Sequence, residues 1–244
     1  MKRRLTILLA TILVLGAVGG AIVLKGTLLD QKKAVSLEEL RGRALQGDAE
    51  AQNKLGAAYY NGTGVGKDID EALRWFRTAS ERGYARAQYN LAILYYQGDG
   101  VERDYQEALR WFDRAARQGL AEAQYNMGVM YAEGLGVRQD EAQAAGWYTR
   151  AAQSGYVLAQ YNLGLMYYEG QGVLKDTTLA FTWLSLAADQ GFADAAKNRD
   201  FVAARMTAEQ KAVAGKRLDE WRVRKKGKRW WKPAFFTGIT SLRP

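Results

Sequence analysis

The sequence has no cysteine and no histidine among its 244 residues, and it has only two prolines. Without cysteine there is no disulfide framework, no thiolate nucleophile and no lipoprotein attachment site. Without histidine there is no imidazole base and no His-ligated metal site. These absences exclude the commonest catalytic arrangements, and they predict a protein that is not an enzyme and holds no metal or cofactor.

Acidic residues are scarce at the two ends of the chain, which makes the charge uneven. Residues 48–206 hold 16 Lys and Arg against 20 Asp and Glu, so the formal charge of +9 comes from residues 1–47 and 207–244. Nucleic-acid binding places basic residues together on the folded domain. Nucleic acid is therefore not an expected partner.

The middle of the chain repeats at a spacing of 36 residues, four times and without insertion. Each copy has a glutamine, a tyrosine, two loop glycines, a valine and a tryptophan at fixed positions. The tryptophans are Trp75, Trp111, Trp147 and Trp183, and the first loop glycines are Gly62, Gly98, Gly134 and Gly170. A fixed period of this length predicts stacked supersecondary units.

Each unit is predicted to be a helix, a glycine loop and a second helix. Ala87, Leu91 and Leu94 recur at helical spacing in the first helix of the second copy. Asp68 and its equivalents are predicted to cap the second helix, with Glu71 three residues on completing a capping box. Gly83 can adopt the left-handed conformation that ends this helix. Small residues such as Gly128 inside the first helices predict close helix contacts.

The pattern divides the chain into segments. A signal anchor is predicted over 1–25, a linker over 26–35, a cap helix over 36–47, a repeat region over 48–206, a capping helix over 207–224 and a tail over 225–244. The repeats are predicted at 48–83, 84–119, 120–155 and 156–191, degenerating from 192. The capping helix is predicted to begin at Thr207 and to bury Ala212, Val213, Leu218 and Trp221.

Residues Ala85 to Trp111 follow the pattern A-x-A-Q-x-x-L-G-x-x-Y-x-x-G-x-G-V-x-x-D-x-x-E-A-x-x-W, with Ala92 in the glycine position. This pattern resembles that of the Sel1-like repeat family, a relative of the tetratricopeptide repeats. The resemblance implies an all-α fold, a right-handed α-solenoid of stacked helix-loop-helix repeats. It also implies a role in binding other proteins.

In tetratricopeptide-like superhelices the first helix of each unit lines a concave groove, so the resemblance implies a binding surface there. The side chains expected on its open face combine tyrosines, asparagines and aliphatic residues, which suit a protein or peptide partner. They are Tyr89, Asn90, Ile93, Tyr96, Tyr125, Asn126, Val129, Tyr161, Asn162, Leu165 and Tyr168. The alternative is that residues repeated in every unit pack the solenoid itself.

These features predict a protein-interaction scaffold or adaptor in the bacterial cell envelope. Two alternatives follow from roles of similar Sel1-like proteins. One is an immunity protein that neutralises a phospholipase effector of type VI secretion. The other is an assembly factor for cell-wall or polysaccharide machinery.

The N-terminal residues have the pattern of a membrane segment. Lys2, Arg3 and Arg4 precede the uncharged run Leu5 to Leu24, which as a helix would span about 30 Å and match a bilayer core. We expect an uncleaved anchor in the inner membrane, with a single span and the repeats in the periplasm. The alternative is a cleaved signal peptide and a soluble periplasmic protein.

The C-terminal tail is basic and aromatic. Basic residues and tryptophan favour an anionic membrane surface, so the tail is a candidate second membrane contact. Its candidate residues are Lys225, Lys226, Lys228, Arg229, Trp230, Trp231 and Lys232. A solvated tail, or one that docks on a partner or in its own groove, is the alternative.

The predicted topology gives a direct test. A phosphatase that is active only outside the cytoplasm, fused after Pro244, should be active, because Arg3 and Arg4 hold the short N-terminal tail in the cytoplasm. The intact protein should also fractionate with membranes. Activity of a cytoplasmic reporter at the same fusion point would contradict the envelope location.

Overall fold

The computed structural model describes residues 36–226, over which the chain forms eleven helices and no strand. The helices α1 to α11 are, in order, Leu37–Leu45, Ala49–Asn61, Ile69–Glu81, Ala85–Gln97, Tyr105–Arg117, Ala121–Glu133, Glu141–Gln153, Val157–Glu169, Thr177–Ala188, Ala193–Ala203 and Ala208–Lys226. The helix pairs from α2 to α9 are the four helix-loop-helix units. The all-α prediction is confirmed.

Three predicted segments lie outside the described residues, wholly or in part. They are the membrane anchor with its run Leu5 to Leu24, the linker over 26–35, and the part of the tail that includes Lys228, Arg229, Trp230, Trp231 and Lys232. Between residues 36 and 226, no helix combines the length and the apolar character needed to span a membrane.

The described helices belong to two compact units. Residues 36–123 and 135–137 form the first, and residues 124–134 and 138–226 form the second. In the first unit α1 packs on α2, and α2 to α5 pack in sequence, each against the next. In the second unit α7 packs on α8 and α8 on α9, while α9 also contacts α10 and α11.

An aspartate begins the second helix of every repeat, as predicted. Its carboxylate accepts a hydrogen bond from the backbone amide three residues on, at 3.0 Å from Glu71 N to Asp68 and at 2.9 Å from Gln143 N to Asp140. These bonds satisfy amides that have no partner inside the helix. The same bond is present at Asp104 and Asp176.

The second half of the predicted capping box is wrong. The Glu71 carboxylate binds Arg74 at 2.6 Å, one turn further along the helix. The Asp68 amide instead donates to the Tyr59 carbonyl at 2.9 Å, which joins the two helices of the repeat across the glycine loop. Equivalent bonds of 2.9 Å join Asp104 to Tyr95, Asp140 to Tyr131 and Asp176 to Tyr167.

Glycine inside the first helices permits close contact between helices, as predicted. A Cβ atom at Gly128 would lie 2.5 Å from the Tyr148 ring, and one at Gly164 would lie 2.8 Å from Leu184. Real Cβ atoms do not approach neighbours so closely. The absence of a side chain therefore lets the first helix of a repeat contact the second along its length.

A buried glutamine connects consecutive repeats. Gln88 Nε2 donates to the Ser80 carbonyl at 3.2 Å, and Gln160 Nε2 donates to the Ala152 carbonyl at 3.1 Å. Gln52 donates to the Ala44 carbonyl in the same way at 3.0 Å. Each carbonyl lies in the last turn of the preceding helix and also accepts the amide of the glycine three residues on, at 3.0 Å from Gly83, 2.9 Å from Gly155 and 3.1 Å from Gly47. The glutamine adds a second hydrogen bond to this carbonyl, and that bond comes from the next repeat.

The terminal helix α11 buries only part of the set of residues predicted for it. Ala214 and Leu218 are buried and Trp221 is half-buried, whereas Ala212 and Val213 are exposed. The helix contacts α9 through the stripe at positions i, i+4 and i+7, which begins at Ala214. Arg222 Nη2 fixes its last turns by an ion pair of 2.8 Å with Asp189. The prediction was right for Leu218 and Trp221 and wrong for Ala212 and Val213, which lie on the opposite side of the helix.

Two glycine substitutions test this packing. Gly128→Ala should lower the free energy of unfolding by about 1–3 kcal/mol, because the new methyl group overlaps the Tyr148 ring. Gly146→Ala is the matched control in α7, where no atom lies within 4 Å of the added Cβ. It should stabilise the protein by about 0.5–1 kcal/mol through helix propensity. Urea unfolding measures both, and equal shifts would contradict the close contact.

Candidate protein-binding surface

The structure buries most of the predicted binding residues. Nine of the eleven have less than a tenth of their surface exposed, so the expectation that this set lies on an open face is wrong for them. The nine are Tyr89, Asn90, Ile93, Tyr96, Tyr125, Asn126, Val129, Asn162 and Leu165. Contact of these residues with a partner stays a prediction.

Packing between helices explains the burial of the tyrosines. The Tyr89 ring lies 5.7 Å from the Phe112 ring in the first unit. In the second unit the Tyr125 ring lies 5.6 Å from Tyr148 and 5.1 Å from Tyr156. Burial raises the pKa of the Tyr148 hydroxyl, which also hydrogen-bonds Asn162. These repeated tyrosines hold neighbouring helices together.

One of the predicted asparagines, Asn90, also contributes to packing. Asn90 is buried in the first unit, and its Nδ2 donates to Asn53 Oδ1 at 2.9 Å. A buried amide needs such a partner, since leaving one unpaired costs about 1–3 kcal/mol. This bond joins the first helices of adjacent repeats. It makes Asn90 a structural residue at this position.

The two remaining predicted residues, Tyr161 and Tyr168, are half-buried on α8. They lie beside two phenylalanines, Phe192 immediately before α10 and Phe201 within it. The Tyr161 ring lies 4.9 Å from Phe192, and the Tyr168 ring lies 5.8 Å from Phe201. Both phenylalanines are also half-buried. We call Tyr161, Tyr168, Phe192 and Phe201 the aromatic strip.

One end of the aromatic strip is cationic. Lys175 Nζ lies 5.3 Å from the centre of the Tyr168 ring, and Arg205 Cζ lies 3.5 Å from the centre of the Phe201 ring. Both cations are exposed, so they pack against the rings and also face solvent. This end can therefore receive an acidic group beside an apolar one.

The other end of the aromatic strip is polar and hydrogen-bonded. Asn198 Nδ2 donates to the Tyr161 hydroxyl at 3.0 Å. The pKa of Tyr161 is raised, first by burial and then by the nearby Asp194 carboxylate. Asp194 itself pairs with Lys197 at 3.0 Å. The Asn198 amide holds the Tyr161 hydroxyl, and part of the ring stays exposed.

The residues of the aromatic strip and the polar residues around it are suited to binding a partner and not to catalysis. They include no nucleophile paired with a base, and residues 36–226 contain no cluster of acidic residues that could hold a metal ion. Aromatic side chains are enriched where proteins bind one another. The arrangement can hold apolar side chains of a partner and place a carboxylate near Lys175 or Arg205.

The sequence analysis missed Phe192 and Phe201 because they follow the last intact repeat. One signal was available, since Phe192 occupies the position held by Tyr84 and Tyr156 in earlier copies. Phe201 had no such signal. Its contact with Tyr168 depends on the degenerate helix α10, whose packing the repeat pattern does not predict.

Substitution of two adjacent tyrosines tests which side of α8 faces solvent. Tyr167 is 4% exposed, and burial with the nearby Asp176 raises its pKa to about 12. Tyr167→Ala should cost about 3–5 kcal/mol of unfolding free energy, as for a buried aromatic residue. Tyr168→Ala should cost about 1 kcal/mol, because its ring is only partly covered. Thermal and urea unfolding compare them, and equal losses would place Tyr168 in the core.

Comparison with known proteins supports the repeat assignment. The profile of the Sel1 repeat family matches residues 49–84, 85–120, 121–156 and 157–192. A protective antigen of uropathogenic Escherichia coli strains with an SLR fold is 41% identical, with a TM-score of 0.69, over 70% of this chain and 37% of its own. A Sel1 repeat protein from Oxalobacter formigenes is 40% identical, with a TM-score of 0.63, over 66% of this chain and 47% of its own.

A curated relative matches a shorter stretch. The secretory immunoglobulin A-binding protein EsiB of Escherichia coli O6:H1 is 45% identical over 45 residues, 18% of this chain and 9% of EsiB. The chain thus spans less than half the length of each of these three relatives. The four tandem matches cover more than half of the chain, and this protein therefore belongs to the Sel1 repeat family.

Proposed function

We propose that this protein is a non-enzymatic scaffold or adaptor that binds a protein or peptide partner through the aromatic strip. The observation that carries the proposal is the group of four half-buried aromatic rings, two on α8, one in α10 and one immediately before α10, with two exposed cations at one end. Partly exposed aromatic residues bury a large apolar area at a small loss of side-chain entropy when a partner covers them.

Membership of the Sel1 repeat family supports this role, because proteins of the family generally mediate protein–protein interaction. EsiB, as its name states, is a protein that binds another protein. The match to EsiB is short, so we take from it protein binding as a class of function. We do not propose immunoglobulin as the partner.

The rings and cations of the aromatic strip suggest which side chains the partner presents. An apolar side chain would cover the rings of Tyr168 and Phe201, and a carboxylate beside it would pair with Lys175 or Arg205. We therefore propose a partner segment in which an acidic residue adjoins an aromatic or aliphatic one. Because both cations are exposed, binding should weaken as salt rises.

We further propose that the protein acts in the bacterial cell envelope. The uncharged run Leu5 to Leu24 behind Lys2, Arg3 and Arg4 supports an inner-membrane anchor with the repeats in the periplasm. Such an anchor would restrict the partner to the periplasm or to a periplasmic domain of a membrane protein. The basic tail beyond Lys226 would strengthen contact with the same membrane.

Site-specific photo-crosslinking in cells tests the proposed surface. A photoreactive phenylalanine at Tyr168 or at Phe201 should join the protein to one partner of defined mass, identified by mass spectrometry. The matched control is Tyr95, a half-buried tyrosine in the first unit whose hydroxyl accepts a hydrogen bond from Arg77 at 3.2 Å. The probe at Tyr95 should give no such product.

The identified partner then allows a quantitative measurement. Phe201→Ala should weaken binding by about 2 kcal/mol, or about thirtyfold in Kd, as expected for an aromatic anchor. Lys175→Glu should also weaken it, while circular dichroism stays unchanged because Lys175 is exposed. Crosslinks from Tyr95 alone, or unchanged affinity in both variants, would place the binding surface elsewhere.

A further inference from the structure

The outer face of the terminal helix α11 carries apolar residues that no described helix covers. Val213 is 48% exposed and Val223 is 69% exposed, and both belong to the small group of large exposed apolar side chains in residues 36–226. Lys216 and Glu220 lie between them and are also exposed. A shallow depression beside this stripe is lined by Lys216, Asp219, Glu220 and Val223.

The four residues have the spacing of a coiled-coil seam. Their separations are three, four and three residues, which are the intervals between alternating a and d positions of a heptad. Val213 and Glu220 take the a positions, and Lys216 and Val223 take the d positions. The opposite face of the helix, with Ala214 and Leu218, already packs inside the second unit.

The stripe is complementary to itself when reversed. Val213 and Val223 lie five residues before and after Leu218, while Lys216 and Glu220 lie two residues before and after it. In an antiparallel helix pair centred at this level, each a residue faces a d residue of the other helix. Valine would then face valine, and each lysine would face a glutamate.

We propose that this face of α11 binds the same face of a second copy of the chain, as an antiparallel helix pair related by a two-fold axis. An interface of this kind uses one patch twice, so it requires a surface complementary to itself. The opposite charges of Lys216 and Glu220 satisfy this requirement only in the antiparallel arrangement. A parallel pair would place Lys216 against Lys216 and Glu220 against Glu220.

The interface is small. A single pair of helices with two apolar layers buries less than the roughly 1,200–2,000 Å² of a stable complex, so the dimer should be weak and concentration-dependent. Two ion pairs in the seam set the register at some cost in affinity, as polar residues do in coiled coils. Attachment of both copies to one membrane would raise their local concentration.

Cysteine cross-linking tests this arrangement in the full-length protein, because the natural chain contains no cysteine. Val213→Cys and Val223→Cys are made separately, with different tags, and the two proteins are oxidised alone and as an equal mixture. The mixture should give a disulfide-linked heterodimer, at about tenfold the yield of either protein alone. Position 213 lies about 15 Å along the helix from position 223. A disulfide needs Cα atoms within about 7 Å, so like positions cannot pair in the antiparallel dimer.

A collision control uses Leu174→Cys, a position in the last glycine loop that is 91% exposed. Mixed with Val223→Cys, it should give only the background yield although it is the more accessible thiol. Self-linking of Val213→Cys or of Val223→Cys as strong as the mixture would overturn the antiparallel pairing. Absence of product from every combination would overturn the dimer.

Charge reversal tests the register. Lys216→Glu, introduced into both cysteine proteins, should reduce the heterodimer to background, because it places a second carboxylate opposite Glu220. A complementary pair of variants should restore the yield. In this pair the Val213→Cys protein carries Lys216→Glu and the Val223→Cys protein carries Glu220→Lys. Every facing pair is then again opposite in charge. Glu102→Lys makes the same charge change as Glu220→Lys on an exposed loop of the first unit, and it should leave the yield unchanged. Failure of the complementary pair to restore the yield would overturn the proposed contact.

Discussion

The contact between consecutive repeats depends, where the structure describes it, on a buried glutamine amide that donates a hydrogen bond to the last turn of the preceding helix. Gln88 and Gln160 donate to carbonyls at 3.2 and 3.1 Å, eight residues earlier in the chain. Gln118 and Gln190 in turn donate to the oxygens of these glutamines, at 2.8 and 2.7 Å. Loss of such a buried partner costs about 1–3 kcal/mol. Because the amide fixes where the next helix begins, the tight glycine contacts and the aspartate caps that follow depend on it.

The repeat made most of the fold predictable. Its period locates both helices, and its glycines and aspartates mark where they end and begin. The burial of individual side chains was harder to predict, because equivalent residues have different neighbours in different copies. Tyr89 and Tyr125 are buried, whereas Tyr161 is half-exposed. The second-helix position filled by Phe112 and then Tyr148 is filled in the fourth copy by the smaller Leu184. A pattern that treats the copies as equal cannot predict this difference.

Function in such a chain is best sought where the repetition ends. Residues shared by the last three copies are occupied with packing, as Asn90 and Tyr125 illustrate. Lys175, Phe201 and Arg205 lie at the last repeat and the helix after it, where half-buried rings of two helices meet exposed cations. Two residues of the terminal helix, Ala212 and Val213, were mispredicted as buried for a related reason. The two faces of this helix both carry apolar residues, and the sequence alone does not indicate which face meets α9.

The bond from each cap aspartate to a tyrosine carbonyl also restricts how the protein can change in length. The Asp68 amide reaches the Tyr59 carbonyl at 2.9 Å across a loop of fixed size, and the same closure recurs in every copy. An insertion within the loop would separate the two groups and leave both without a partner. Lengthening is therefore tolerated most easily by duplication of a whole repeat, which preserves every closure. Longer relatives of this chain are expected to differ from it by whole repeats, with their loops conserved in length.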